Sequence, residues 1–176
     1  MATRFKISGT EYTDQDCFIE ALEIDSRNSD AWNNLGVTTK SDEITFEVNG
    51  TLYTRRDCYV GFTIEKCGDT VEVSGIKYTK QDCYVKAVTA DPSNAVAWKN
   101  LGFILPSCCP VEVDGSTYTN QGCFIMAVEI DPCDAVSWYN LYTTMSDGDT
   151  VMVDCITHTK QACYDKAIGT DPTLLT

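Results

Sequence analysis

The sequence is poor in the groups that most often carry catalysis and nucleic-acid contact. It holds one histidine, His158, and 13 Lys and Arg against 26 Asp and Glu, a formal net charge of −13. That excess of acid opposes binding to nucleic acid or anionic lipid, whose phosphates need cations. It favours solubility and basic partners. No apolar run approaches the roughly 18 residues of a membrane-spanning helix, so no membrane insertion is expected. Residues 1–10 lack a basic start followed by an apolar stretch, and no leader is expected. G-x-G-x-x-G, a Walker loop, G-x-S-x-G and H-E-x-x-H are all missing, as is C-x-x-C. Neither an enzyme nor a cofactor is expected from such a chain.

What is there is repetition. An aromatic-Thr, three residues, then Cys-aromatic appears at Tyr12-Thr13…Cys17-Phe18, Tyr53-Thr54…Cys58-Tyr59, Tyr78-Thr79…Cys83-Tyr84 and Tyr118-Thr119…Cys123-Phe124. A worn copy closes the series at His158-Thr159…Cys163-Tyr164. Successive cysteines of the set lie 41, 25, 40 and 40 residues apart. A fixed period of about 20–50 residues marks stacked units that bury their apolar faces against neighbours.

Residues 70–102 show one unit. Thr70–Val73, Ser74-Gly75 and Ile76–Thr79 read as a hairpin, with Val73 opposite Ile76 and Val71 opposite Tyr78. The same arithmetic sets Phe46 opposite Tyr53 and Val48 opposite Thr51 around Asn49-Gly50. It sets Val111 opposite Tyr118 around Asp114-Gly115, and Phe5 opposite Tyr12 and Ile7 opposite Thr10 around Ser8-Gly9. The last copy has Asp154-Cys155 at its tip, with Val151 opposite His158. A helix follows, capped by Thr79 with Asp82 at the third position; Thr13…Asp16 and Thr54…Asp57 repeat the pattern, while Thr119…Gly122 and Thr159…Ala162 lack the acid. Cys83, Tyr84, Ala87 and Val88 form its apolar stripe. Asp91-Pro92 ends it, because the residue before proline is driven from helical geometry. A second helix starts near Asn94 and carries Ala95, Trp98, Leu101 and Gly102 on one face, with Gly102 allowing a close neighbour.

Asp-Pro, six residues from Pro92 to Trp98, then Leu101-Gly102, resembles the tetratricopeptide repeat. Asp131-Pro132…Trp138…Leu141 matches with Tyr142 for the glycine, and Asp25…Trp32…Leu35-Gly36 with Ser26 for the proline. Lys86-Ala87…Asp91-Pro92 and Lys166-Ala167…Asp171-Pro172 look like its second helix. The family repeats about every 34 residues; the full period here is about 40. The added residues make the hairpin, inserted between helix A (the Trp helix) and helix B (the Cys helix). The resemblance implies a mainly α fold: an α-solenoid of about five degenerate units, each helix pair decorated by a short β-hairpin. The whole chain, 1–176, is read as one repeat domain with units near 1–40, 41–69, 70–105, 106–145 and 146–176. The 41–69 unit is truncated: between Cys58 and Val71 there is room for one helix, not two, and the stacking is expected to kink or change partners there.

Within this frame the unit-to-unit packing residues are Trp32, Leu35, Trp98, Leu101, Trp138 and Leu141, with Cys17, Cys58, Cys83, Cys123 and Cys163. The remaining cysteines, Cys67, Cys108, Cys109, Cys133 and Cys155, are the better disulfide candidates. Paired cysteines would point outside the cell, free ones to a reducing interior. His158 stands in a hairpin aromatic slot, and Asp147-Gly148-Asp149 reads as a turn without the ligand pattern of a calcium loop. Asn49-Gly50-Thr51 is an N-glycosylation sequon at a hairpin tip.

The resemblance implies a face, lined by helix A, that binds a protein or peptide segment. Candidate contacts are Asn33, Asn34, Lys99, Asn100, Tyr139 and Asn140, where asparagine can bond an extended backbone in both directions. The alternative is a structural subunit that polymerises head-to-tail with copies of itself. No polar capping helix is evident at either end of the repeat series, and raw solenoid ends invite that contact.

Overall fold

The structure, a computed structural model, describes residues 4–7, 10–38, 45–48, 51–54 and 70–175. It is mainly helical, with small strand pairs. The elements run β1 (Arg4–Ile7), β2 (Thr10–Thr13), α1 (Asp14–Ile24), α2 (Ser29–Thr38), β3 (Thr45–Val48), β4 (Thr51–Thr54), β5 (Thr70–Val73), β6 (Ile76–Thr79) and α3 (Lys80–Ala90). They continue with α4 (Ala95–Ile104), β7 (Val111–Val113), β8 (Ser116–Tyr118), α5 (Asn120–Ile130), α6 (Ala135–Thr144), β9 (Thr150–Val153), β10 (Ile156–Thr159) and α7 (Lys160–Thr170).

Each described strand pairs, among the described residues, only with its sequence neighbour, as an antiparallel hairpin, in the register that the turn residues impose. Phe5 lies opposite Tyr12, Phe46 opposite Tyr53, Val71 opposite Tyr78, Val111 opposite Tyr118 and Val151 opposite His158. Three described tips share one turn, with both central residues left-handed: Ser74-Gly75, Asp114-Gly115 and Asp154-Cys155. That is the twist-matched two-residue turn of hairpins. Cys155, at φ 62°, does what glycine does in the other two, at a cost of about 1–2 kcal/mol.

Threonine starts the helices that follow. The Thr13 hydroxyl accepts from the Asp16 amide at 3.2 Å while the Asp16 carboxylate accepts from the Thr13 amide at 2.7 Å. Thr79 and Asp82 repeat the exchange. The backbone bond from Thr13 is the main reason the Asp16 carboxyl lies below its ordinary pKa. Thr119 and Thr159 cap α5 and α7 through their hydroxyls alone, accepting from Gly122 and Ala162. At the far ends Asp25, Asp91, Asp131 and Asp171 each accept from the amide two residues on, forming side-chain-closed turns.

The chain forms two compact units, Met1–Ala87 and Val88–Thr176. In the first, α1 packs on α2 and meets β5. Leu22, Ala31, Trp32, Leu35, Val73, Cys83, Tyr84 and Ala87 are buried. The buried Ser29 hydroxyl donates to the Ala87 carbonyl at 2.9 Å, tying α2 to α3. In the second, α4 packs on α5, α5 on α6 and α6 on α7. Phe124, Val128, Trp138, Leu141, Met145, Val151, Val153, Cys163 and Ala167 make a common core there.

One lock recurs three times. The Trp32, Trp98 and Trp138 indoles each donate at 2.9 Å to a carbonyl of the preceding turn, those of Ser26, Pro92 and Pro132. Each ring then meets a hairpin aromatic: Trp32 on Tyr78 at 4.8 Å, Trp98 on Tyr118 at 4.8 Å, Trp138 on His158 at 5.2 Å. For Trp98 and Trp138 the partner is in the next hairpin along the chain. For Trp32 it is in β6, with residues 39–69 intervening in sequence.

The slot four residues after tryptophan sets how close helix B comes. A Cβ on Gly36 would lie 2.5 Å from the Tyr84 ring, and one on Gly102 would lie 2.8 Å from the Phe124 ring. In α6 the slot holds Tyr142, whose ring meets Tyr164 at 5.1 Å. Gly169 in α7 has open space instead. In denaturant unfolding, Gly102→Ala is expected to destabilise by about 1 kcal/mol, overpacking against a buried ring exceeding the helix-propensity gain. Gly169→Ala is expected to stabilise by about 0.5–1 kcal/mol. Equal shifts of the same sign would show that neither glycine is read by its neighbour.

Candidate interaction face

Helix A turns one side to the core with Trp and Leu, and a second side outward. Positions two and five after the tryptophan are three apart and share that second side. The first of them is asparagine every time: Asn34, Asn100 and Asn140, each half-buried. The second is Val37, Phe103 and Thr143, all exposed. Val37 is 55% and Phe103 49% exposed. Sequence reasoning found the asparagines and missed the residue beyond them, although its three-residue spacing was the available signal.

The other candidate contacts divide. Asn33 is buried in α2. Lys99 is held at 3.0 Å by Asp134, the residue that precedes α6. Asp134 also accepts from the buried Ser137 hydroxyl, and it gives no side-chain cap to α6, unlike Asn28 and Asn94 before α2 and α4. Tyr139 lies against the core of its unit, with its ring 5.8 Å from that of Tyr142. The Asn140 amide donates back to the Val136 carbonyl at 2.6 Å, and the Thr143 hydroxyl to the Asn140 carbonyl at 2.7 Å. Thus Lys99 and Tyr139 are engaged by neighbours within the fold, the +2 asparagines are half-buried, and the exposed components of the face are the +5 residues.

The repeat cysteines are core groups where they are described. Cys83, Cys123 and Cys163 are buried, and Cys17 is half-buried. Burial pushes the Cys83 and Cys123 thiols up to about 12 and raises that of Cys163, so none of the three supplies thiolate at neutral pH. The Cys163 sulfur instead meets that of Met145 at 3.9 Å. Asp147-Gly148-Asp149 is a turn: the Asp149 amide donates to the Ser146 carbonyl, and the Asp149 carboxylate accepts from the Ser146 amide. Asp147 pairs with Lys160 at 2.8 Å, which lowers the acid's pKa. Cys58, Cys67 and the Asn49 sequon lie outside the described residues. Among the described residues no three His, Cys, Asp or Glu side chains gather into a metal-holding group. No described helix is long and apolar enough to cross a membrane. The chain matches no protein-family model and no curated protein sequence.

His158 occupies the tyrosine slot of its hairpin, edge-on to Trp138. Burial lowers its pKa below the ordinary histidine value, and the nearby Lys166 ammonium, itself over the Trp138 ring, lowers it further. The fold therefore favours neutral imidazole. The contribution of His158 is complete above the unfolded value of about 6.5 and is lost as pH falls through the lower folded value. Thermal unfolding compared between about pH 7.5 and 5.5 should show the native chain losing stability that His158→Tyr retains. An identical pH dependence in the two proteins would remove His158 from the account.

Proposed function

We propose that this chain is a non-catalytic repeat scaffold that works through protein contacts, its helix–hairpin–helix units stacked in the manner of tetratricopeptide repeats. The observation that carries this reading is the repeated row of Asn34, Asn100 and Asn140, each beside an exposed Val37, Phe103 or Thr143. Side-chain amides that both donate and accept suit the backbone of an extended peptide. Apolar surface at the adjacent slot, on Val37 in one unit and Phe103 in the other, suits its side chains. The acidic net charge of −13 favours a basic segment. Lys99 is engaged by Asp134, so the face lacks the cationic clamp that would hold a free carboxylate.

Peptides selected on the full chain from a random display library test this reading. They should be extended and basic, and each of Asn34→Ala, Asn100→Ala and Asn140→Ala should weaken them by up to about tenfold, the worth of one hydrogen bond. Selection of peptides indifferent to all three substitutions would refute the asparagine row as the binding face.

A second reading, a subunit that polymerises head-to-tail, draws support from the hairpins. Ile76, Met152 and Ile156 are exposed on them, and each hairpin is a two-stranded sheet with free edges. Unpaired edges carrying apolar side chains are templates for another copy. Sedimentation velocity over a concentration series discriminates: growth into long species that Ile76→Lys or Ile156→Lys abolishes supports assembly, and a concentration-independent monomer rules it out.

A further inference from the structure

The cysteines differ sharply in surroundings. Cys83, Cys123 and Cys163 are sealed in apolar packing. Cys108 and Cys109 are adjacent in sequence and exposed, in the linker from α4 to β7, with their sulfurs 3.4 Å apart. The linker is well constrained. Pro106 and Pro110 bracket Ser107–Cys109, fixing φ at both ends and keeping Cys109 from helical geometry. The Cys109 amide donates to the Pro106 carbonyl at 3.0 Å, closing a turn. Asn120, at the start of α5, donates its side-chain amide to the Ser107 hydroxyl at 3.2 Å. The corresponding turn of the next repeat, Ser146–Asp149, has the same backbone bond and no cysteine. The fold of the turn therefore does not need the thiols.

We propose that Cys108 and Cys109 are a redox-active dithiol whose oxidant is a small-molecule disulfide of the glutathione class. One thiolate attacks a sulfur of the disulfide, forming a mixed disulfide and expelling one thiolate. The neighbouring cysteine, deprotonated, attacks the protein-bound sulfur, closes the Cys108–Cys109 bond and expels the second thiolate. Two protein thiols lose two electrons, the disulfide gains them, and the two protons end on the two released thiols. The second step is intramolecular between sulfurs already in contact, so the mixed disulfide is short-lived. Cα atoms joined by a trans peptide are about 3.8 Å apart, short of the usual span of roughly 4.4–6.8 Å for a disulfide. The strain leaves the closed bond easily reduced, the property of labile rather than structural disulfides. Cys133 and Cys155 are also exposed but sit in separate turns, after α5 and between β9 and β10, and would stop at the mixed disulfide.

The full chain is treated with glutathione disulfide, its remaining thiols are alkylated, and the peptides are mapped by mass. The segment carrying both residues should be lighter by two hydrogens. Cys108→Ser and Cys109→Ser should each keep one glutathione on the surviving cysteine, and excess reduced glutathione should reopen the native pair. Two results would overturn the proposal: glutathione retained on the native pair as often as on the single variants, or a native pair left reduced while Cys133 takes the adduct.

Discussion

The tryptophan of helix A holds in shape the three repeats that carry one, because it does two jobs with one side chain. Its indole N–H satisfies a carbonyl of the turn that enters the helix, and its ring fills the space against an aromatic of a hairpin. A buried indole without an acceptor, or a turn carbonyl without a donor, would cost about 1–3 kcal/mol. Burial of the ring removes roughly 200 Å² from water, worth about 5 kcal/mol before conformational entropy is set against it. The lock therefore fixes two joints at once, from helix B into helix A and from helix A to a hairpin. The capping threonines and side-chain-closed aspartate turns then position the neighbouring helices around it.

The variations among repeats follow from that lock. Where glycine stands four residues after tryptophan, helix B brings its aromatic within contact of the helix A backbone, as Tyr84 and Phe124 do. Where Tyr142 stands, the contact becomes ring against ring, with Tyr164 and the Lys160 ammonium over the Tyr142 face. Replacement of the hairpin tyrosine by His158 keeps the edge-on packing on Trp138 and adds a titratable nitrogen. The buried side of helix A is thus used up by packing. The asparagine position and the slot beside it are the part of helix A that repeats away from the buried Trp and Leu side, with Val37, Phe103 and Thr143 exposed, which is why the interaction reading rests there.

Much of the fold was legible in the sequence, and for a physical reason. The hairpin tips demand left-handed backbone, and two-residue turns dictate the strand register, so Val71 against Tyr78 and Val111 against Tyr118 followed from counting. Threonine caps and Asp-Pro stops act within four residues of themselves, so the helix limits followed too. The candidate face was legible in part. The asparagine row came from the repeat pattern. The capture of Lys99 by Asp134 did not, because an ion pair between separate helices leaves no spacing signal.

By itself, then, the sequence determined the local parts: which stretches are helix or hairpin, their register and caps, and which tryptophans, leucines and repeat cysteines seek burial. Those outcomes depend on interactions closed within a few residues and on the period of the apolar pattern. Tertiary structure alone decided which part meets which. Several hairpins offer Trp32 a similar aromatic, and local chemistry cannot rank them; the ring meets Tyr78, across residues 39–69, because that choice also brings Gly36 under Tyr84 and Ser29 to the Ala87 carbonyl. Such choices are settled by the sum of several long-range contacts formed together, a quantity that no short window of sequence contains.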